Sequence, residues 1–286
     1  MTGPGGEQPR QQQRPPGVTK DMDPQPRDSM ADYEGRGLLT DKRALITGGD
    51  SGIGRAVAVA FAKEGADIAI AYLNEHDDAE RTAELVRAEG KRCVLLPGDL
   101  AGAAHCRDIV ANTVQQLGGL EILVNNVATQ WPLDAPEDLT EEQWLHTFDV
   151  NIHSYFRVTS AALPHLGDGA VIVNTGSVNG LRGNKSLIDY SATKGAIHAW
   201  TFSMAQALAS RRIRVNCVAP GPVWTPLIPS TFPPEKVKEF GLQVPFAEAA
   251  HPADLAPSYV FLASNRLSGY YSGEVIAALG GETTPG

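Results

Sequence analysis

The chain has 286 residues, 42% of them hydrophobic and 20% charged, with a formal net charge of −9. That length supports a large core, with ~75% of the unfolded surface buried. The acidic balance, and the lack of any apolar run near the ~18 residues of a membrane helix, exclude nucleic acid and the membrane as main partners.

Residues 1–40 hold 6 of the 20 prolines, 6 glycines and 5 glutamines, but only 8 hydrophobic residues. Such a segment has too little apolar surface to offset its ordering entropy. It reads as a flexible N-terminal arm, 1–40, ahead of one domain, 41–286. A second reading has the arm docking on a neighbouring subunit. From there short apolar runs alternate with helical stretches. Strands are expected at Arg43–Thr47, Asp67–Tyr72, Arg92–Leu96, Glu121–Val124, Ala170–Thr175, Ile213–Val218 and Glu274–Ala277. They are rich in Val and Ile and lack alternation, as strands buried on both faces do. Helices are expected at Gly52–Glu64, Asp77–Glu89, Ala103–Leu117, Glu141–Leu163, Tyr190–Ser210 and Pro252–Ser264. The alternation predicts an α/β fold, a doubly wound Rossmann-type parallel sheet of about seven strands.

The first strand runs into Thr47-Gly48-Gly49-Asp50-Ser51-Gly52-Ile53-Gly54, and a helix follows. Glycines there allow a tight turn and close approach of a pyrophosphate, which the helix N-terminus then faces. Gly49-Asp50-Ser51-Gly52 mimics a serine-protease nucleophile loop, but the α/β pattern excludes that reading. A second constellation is Tyr190-Ser191-Ala192-Thr193-Lys194 at a helix start. Residues four apart share a helix face. The Lys194 ammonium is therefore expected near the Tyr190 hydroxyl, favouring the phenolate over its reference pKa of about 10. Ser177 follows the strand Ala170–Thr175 at the carboxyl edge of the sheet, where ligands bind.

These motifs resemble the short-chain dehydrogenase/reductase family over about 41–280. The closest branch is the glucose/ribitol dehydrogenase-like, stress-protein-like oxidoreductases. That likeness is carried by Gly48 to Arg55, by Ala219-Pro220-Gly221-Pro222-Val223-Trp224-Thr225, and by Pro15-Pro16-Gly17 and Met22-Asp23-Pro24 in the arm. The resemblance implies a catalytic tetrad of Asn151, Ser177, Tyr190 and Lys194. It implies a dinucleotide held by Gly48, Asp50, Ser51, Gly52, Ile53 and Gly54, and by Tyr72, Leu73 and Asn74 after the second strand. Asp99, Leu100, Asn126, Tyr190, Lys194, Pro220, Gly221, Val223 and Thr225 complete that set. Asn151 is expected to help hold a water relay from Lys194 to solvent. Val127-Ala128 departs from the Ala-Gly usual in the family, in a segment that mainly braces the sheet.

The second strand ends Ala71-Tyr72-Leu73-Asn74, with neither an acid for a ribose hydroxyl nor an arginine for a 2′-phosphate. NAD and NADP both stay open. Trp224, Leu227, Ile228, Phe232, Phe240 and Phe246 lie in a Pro-rich stretch read as a mobile substrate lid. Cys93, Cys106 and Cys217 have no CxxC spacing, and the seven histidines form no HExxH pair. No metal site is expected, and the setting is a reducing cytoplasm. The expected function is an NAD(P)-dependent oxidoreductase interconverting an alcohol and a small-molecule carbonyl (aldehyde, ketone, sugar or polyol). The alternatives are a dinucleotide-binding sensor or scaffold, or an epimerase or dehydratase on the same fold. The family resemblance also implies a homotetramer.

Overall fold

The computed structural model describes residues 6–283; positions 1–5 of the expected arm and 284–286 of the expected domain lie outside the described residues. The elements in chain order begin with β1 (Arg43–Thr47), α1 (Gly52–Lys63), β2 (Asp67–Tyr72), α2 (His76–Ala88), β3 (Cys93–Pro97) and α3 (Ala103–Leu117). They continue with β4 (Ile122–Asn125), α4 (Glu141–Phe148), α5 (Ser154–Ala162), β5 (Val171–Thr175), α6 (Asn179–Arg182) and α7 (Ile188–Leu208). The last are β6 (Arg214–Pro220), α8 (Leu227–Thr231), α9 (Pro234–Lys238), α10 (Pro252–Ala263), α11 (Asn265–Ser268) and β7 (Val275–Ala278).

The seven strands form one parallel sheet in the order β3-β2-β1-β4-β5-β6-β7. The central strands are buried without alternation because helices cover both faces. Phe61 of α1, Val86 of α2 and Tyr259 of α10 belong to one core. Ile109 of α3, Val158 of α5 and Leu208 of α7 belong to the other. The crossovers reverse direction between β1 and β4, and a crevice opens there at the carboxyl ends of the strands.

The single helix expected over Glu141–Leu163 is instead two helices joined by a π-turn, Asp149–His153, centred on Asn151. One extra residue per turn leaves the apolar pattern readable as continuous helix, and such turns cluster at functional sites.

The described part of the arm makes specific contacts with the body of the chain. Residues 6–40 lie against the same chain, with Met22 and Met30 each 4% exposed. The Glu64 carboxylate accepts from the backbone N–H groups of Arg36 (2.8 Å) and Leu38 (2.9 Å) and from the Tyr33 hydroxyl. Met22 packs with Trp224, Ile228, Val237 and Ala249. The arm has few apolar residues, but Met22, Met30, Tyr33, Leu38 and Leu39 all join the hydrophobic clusters of the body. Among the described residues no helix is long and apolar enough to cross a membrane. The cysteines are unpaired; Cys106 and Cys217 are buried and Cys93 is half-buried.

Candidate active site

The turn after β1 is built on glycine. Gly48 and Gly52 have φ of +64° and +52°, where a side chain is strained. A Cβ on Gly54 would stand 1.9 Å from the Gly48 carbonyl oxygen, so α1 begins against the turn itself. Ser51 makes no side-chain capping hydrogen bond, which leaves the first N–H groups of α1 to an anion. Asn126 braces the turn: its Nδ2 donates to Thr47 O (3.2 Å) and Gly48 O (3.0 Å). This shallow cradle of backbone N–H groups fits a dinucleotide pyrophosphate.

A cleft of about 1060 Å³ runs from that turn along the carboxyl edge of the sheet. Of the residues predicted for the cofactor, Gly48, Asp50, Ser51, Gly52, Ile53, Tyr72, Leu73, Asp99, Leu100 and Asn126 line it. So do Pro220, Gly221, Val223 and Thr225. Gly54 and Asn74 do not. Gly54 packs beneath the turn, and Asn74 lines a smaller pocket shared with Val18 and Lys20 of the arm. Asp50 is pushed up to about 7, first by burial and then by the charge of Glu75.

The other end of the cleft holds Ser177, Tyr190 and Lys194. The buried Asp189 fixes the first turn of α7: its carboxylate accepts from Tyr190 N (2.9 Å), Thr147 Oγ1 (2.7 Å) and Gln143 Nε2 (3.0 Å). That tie to α4 sets where Tyr190 stands. Lys194 Nζ donates to Thr175 O at 2.8 Å and lies over the Tyr190 ring, 5.5 Å from its centroid. Burial pushes the phenol up to about 12, opposed only by Ser177, and brings Lys194 down to about 8. Burial disfavours the charged form of each group, and that is the leading cause of both shifts.

Asn151 is fully buried behind the cleft. Its Nδ2 donates to Thr129 O (2.8 Å) and Thr193 Oγ1 (3.2 Å), and its Oδ1 accepts from Thr129 N (2.8 Å). Its side chain thus holds the segment after β4 against α7 and makes no bond to Lys194.

Two groups without a part in the expected site also lie at it. His198 is buried, and its Nε2 accepts from Ser177 N at 3.4 Å. It occupies a slot that only glycine leaves open, since a Cβ on Gly176 or Gly180 would come within 2.2 or 2.8 Å of its ring. Burial, then Lys194, lowers it to about 4, so it stays neutral. The second group is Pro15, Pro16 and Gly17 of the arm, which line the cleft. The stretch read as a lid forms α8 and α9, with Leu227, Ile228, Phe232 and Phe240 on the cleft. Trp224 lies buried beneath, and Phe246 is exposed.

The family model described as enoyl-(acyl carrier protein) reductase matches residues 48–283. A short chain dehydrogenase from Burkholderia cenocepacia J2315, solved in complex with NADP, superposes with a TM-score of 0.80 at 31% identity, covering 85% of this chain and 98% of that one. The chain belongs to the short-chain dehydrogenase/reductase family. The family's cofactor is NAD or NADP, and its reactions are oxidoreductions. Among relatives, the chloroplastic NADPH-dependent aldehyde reductase 1 of Arabidopsis thaliana is 45% identical, over 95% of this chain and 96% of that protein. The glucose and ribitol dehydrogenase of Daucus carota is 44% identical, over 97% of each. The branch is thus the one the glycine turn and the Pro220 loop resemble.

Proposed function

We propose that this chain interconverts an alcohol and a carbonyl with NAD or NADP, using Tyr190 as acid and base. The observation that carries this reading is the gathering of Ser177, Tyr190 and Lys194 at one end of a cleft whose other end is the glycine turn. Gly48, Ser51, Gly52 and Ile53 would hold the pyrophosphate, and Tyr72, Leu73, Asp99 and Leu100 the adenosine side. Asn126, Pro220, Gly221, Val223 and Thr225 would hold the nicotinamide side. When bound, the nicotinamide supplies or accepts the hydride.

The protein's own part is proton transfer and orientation. Tyr190 Oη exchanges a proton with the substrate oxygen. Ser177 Oγ hydrogen-bonds that oxygen and stabilises its developing charge. Lys194, anchored on Thr175, brings positive charge to the phenol and a donor to the cofactor ribose. Asn151 positions the Thr129 backbone, and the proton path from Lys194 to solvent passes along this buried side. The names of the Arabidopsis and carrot relatives support aldehydes, sugars and polyols as substrates.

Leu145, Phe156 and Phe202 are exposed on α4, α5 and α7, which supports association of copies, as a homotetramer, through that face. Three unpaired thiols support a reducing, cytoplasmic setting. The test is a panel of aldehydes, ketones, sugars and polyols with NADH, NADPH and their oxidised forms, read by nicotinamide absorbance. Turnover with an aldehyde or polyol is expected. Binding of cofactor without turnover of any substrate would leave the sensor reading in its place.

A further inference from the structure

Residues 13–28 of the arm touch both walls of the cofactor cleft. On the glycine-turn side the link is Arg55, buried in the first turn of α1. Its Nε and Nη2 donate to Asp50 O at 3.1 and 2.8 Å. Its Nη1 donates to Asp28 Oδ2 at 3.1 Å, and its Nη2 to Asp78 Oδ1 at 2.7 Å. Asp78 in turn accepts from Thr19 N at 2.8 Å. One guanidinium therefore joins the arm to the backbone of the turn.

On the opposite side the arm is fastened to the stretch carrying α8. Gln13 N donates to Pro229 O at 2.8 Å, and Trp224 Nε1 donates to Pro24 O at 2.7 Å. Between these fastenings, Pro226 is wedged between arm and turn. A Cβ on Gly17 would stand 2.4 Å from Pro226 O, and one on Gly52 would stand 3.8 Å from Pro226 Cδ. Pro15, Pro16 and Gly17 face the cleft at this crossing. They add no charge, only a stiff apolar wall whose φ angles are largely fixed by proline.

We propose that the arm is a working part of the dinucleotide site, a strap whose Pro15–Gly17 segment covers the cleft between the glycine turn and α8, so that a bound dinucleotide leaves only when the strap lifts. The proposal rests on the dinucleotide reading above. Its occupant is the NAD or NADP of that reading, and its effect is on residence time. Gates of this kind act on dissociation more than on association.

The test uses the full chain and two variants. Gly17→Ala places a methyl group against Pro226 O and displaces the strap locally. A chain lacking residues 2–17 removes the wall but keeps Met22 and Asp28. Release of NADH and of NADPH is followed by stopped-flow fluorescence after displacement. Trypsin cleavage after Lys20 and Arg27 is followed with and without dinucleotide, and melting temperatures confirm that the variants fold. The expected results are an off-rate raised ~tenfold or more in both variants, and slower cleavage of the wild-type arm when dinucleotide is present. An off-rate less than about threefold above wild type in the folded truncated chain overturns the strap and leaves the arm a brace for the fold. If wild type binds neither NADH nor NADPH, the dinucleotide reading itself fails, and the strap with it.

Discussion

The ammonium of Lys194 lies over the face of the Tyr190 ring, 5.5 Å from its centroid, and gives its hydrogen bond to Thr175 O. It also lies 5.6 Å from the centroid of Tyr155. Two aromatic faces and one carbonyl thus hold a buried cation that has no carboxylate partner among its hydrogen bonds. The position of Lys194 is set by the end of β5, and Tyr190 is carried by the same helix one turn earlier. Distance between the pair is therefore fixed by backbone, while their protonation is set by burial.

Tyr190→Phe removes the hydroxyl and keeps the ring that Lys194 rests on. Turnover should fall by ~10²-fold or more, the usual loss when a general acid–base group is removed. Dinucleotide affinity, measured by fluorescence titration, should stay within about threefold, because the glycine turn is untouched. Retention of more than about a tenth of the wild-type kcat would remove Tyr190 from the proton step.

The pH profile should report Lys194. Its ammonium is charged below about 8 and neutral above. The phenol stays protonated through that range, since it titrates at about 12. Carbonyl reduction, read as kcat/KM, should therefore fall as pH rises through about 8. A guanidinium does not deprotonate in this range, so Lys194→Arg should move that limb upward out of view, whatever its cost in absolute rate. Profiles that break at the same pH in both proteins would assign the limb to another group.

Arg55 is 3% exposed and faces two buried carboxylates, Asp28 and Asp78. Arg55→Met should lower stability by about 3–5 kcal/mol, because it leaves buried charge without a partner. Asp28→Asn should behave differently. Burial holds Asp28 at about 6 despite Arg55, against 3.8 for the free group. A raised carboxylate pKa contributes stability that is fully present below 3.8 and is lost as pH rises through about 6. Asparagine does not titrate. The stability of Asp28→Asn relative to wild type should therefore improve from about pH 4 to about pH 7, by urea denaturation at each pH. A difference that is flat with pH would contradict the raised value.

The strands were legible because each is a run of apolar residues between turns, and such runs leave few alternatives. The expected bounds of α3, Ala103–Leu117, coincide with the observed ones. The glycine turn and the Tyr190–Lys194 spacing were legible because both are local: one chain segment carries each. The docked arm was not. Its anchors are single residues whose partners lie far away in sequence, Asp28 on Arg55 and Pro24 on Trp224. Composition averages over such contacts and reads only their scarcity. The π-turn at Asn151 escaped because one inserted residue barely disturbs an apolar period. The burial that raises the Tyr190 phenol was not legible either, because only the packed interior sets it.

The aldehydes proposed as substrates are electrophiles, and a protein that binds them brings its own nucleophiles within their reach. Here the thiols are withheld. Burial pushes Cys93 and Cys217 up to about 12 and Cys106 up to about 11. At neutral pH the reactive thiolate is then a fraction of less than about one in 10³ at each. Cys217 sits on β6 near the Lys194 ammonium, yet stays in its inert protonated form. The chain is thereby spared adduct formation by the compounds it is proposed to process, and thiol-directed reagents should mark the buried Cys106 and Cys217 only as it unfolds.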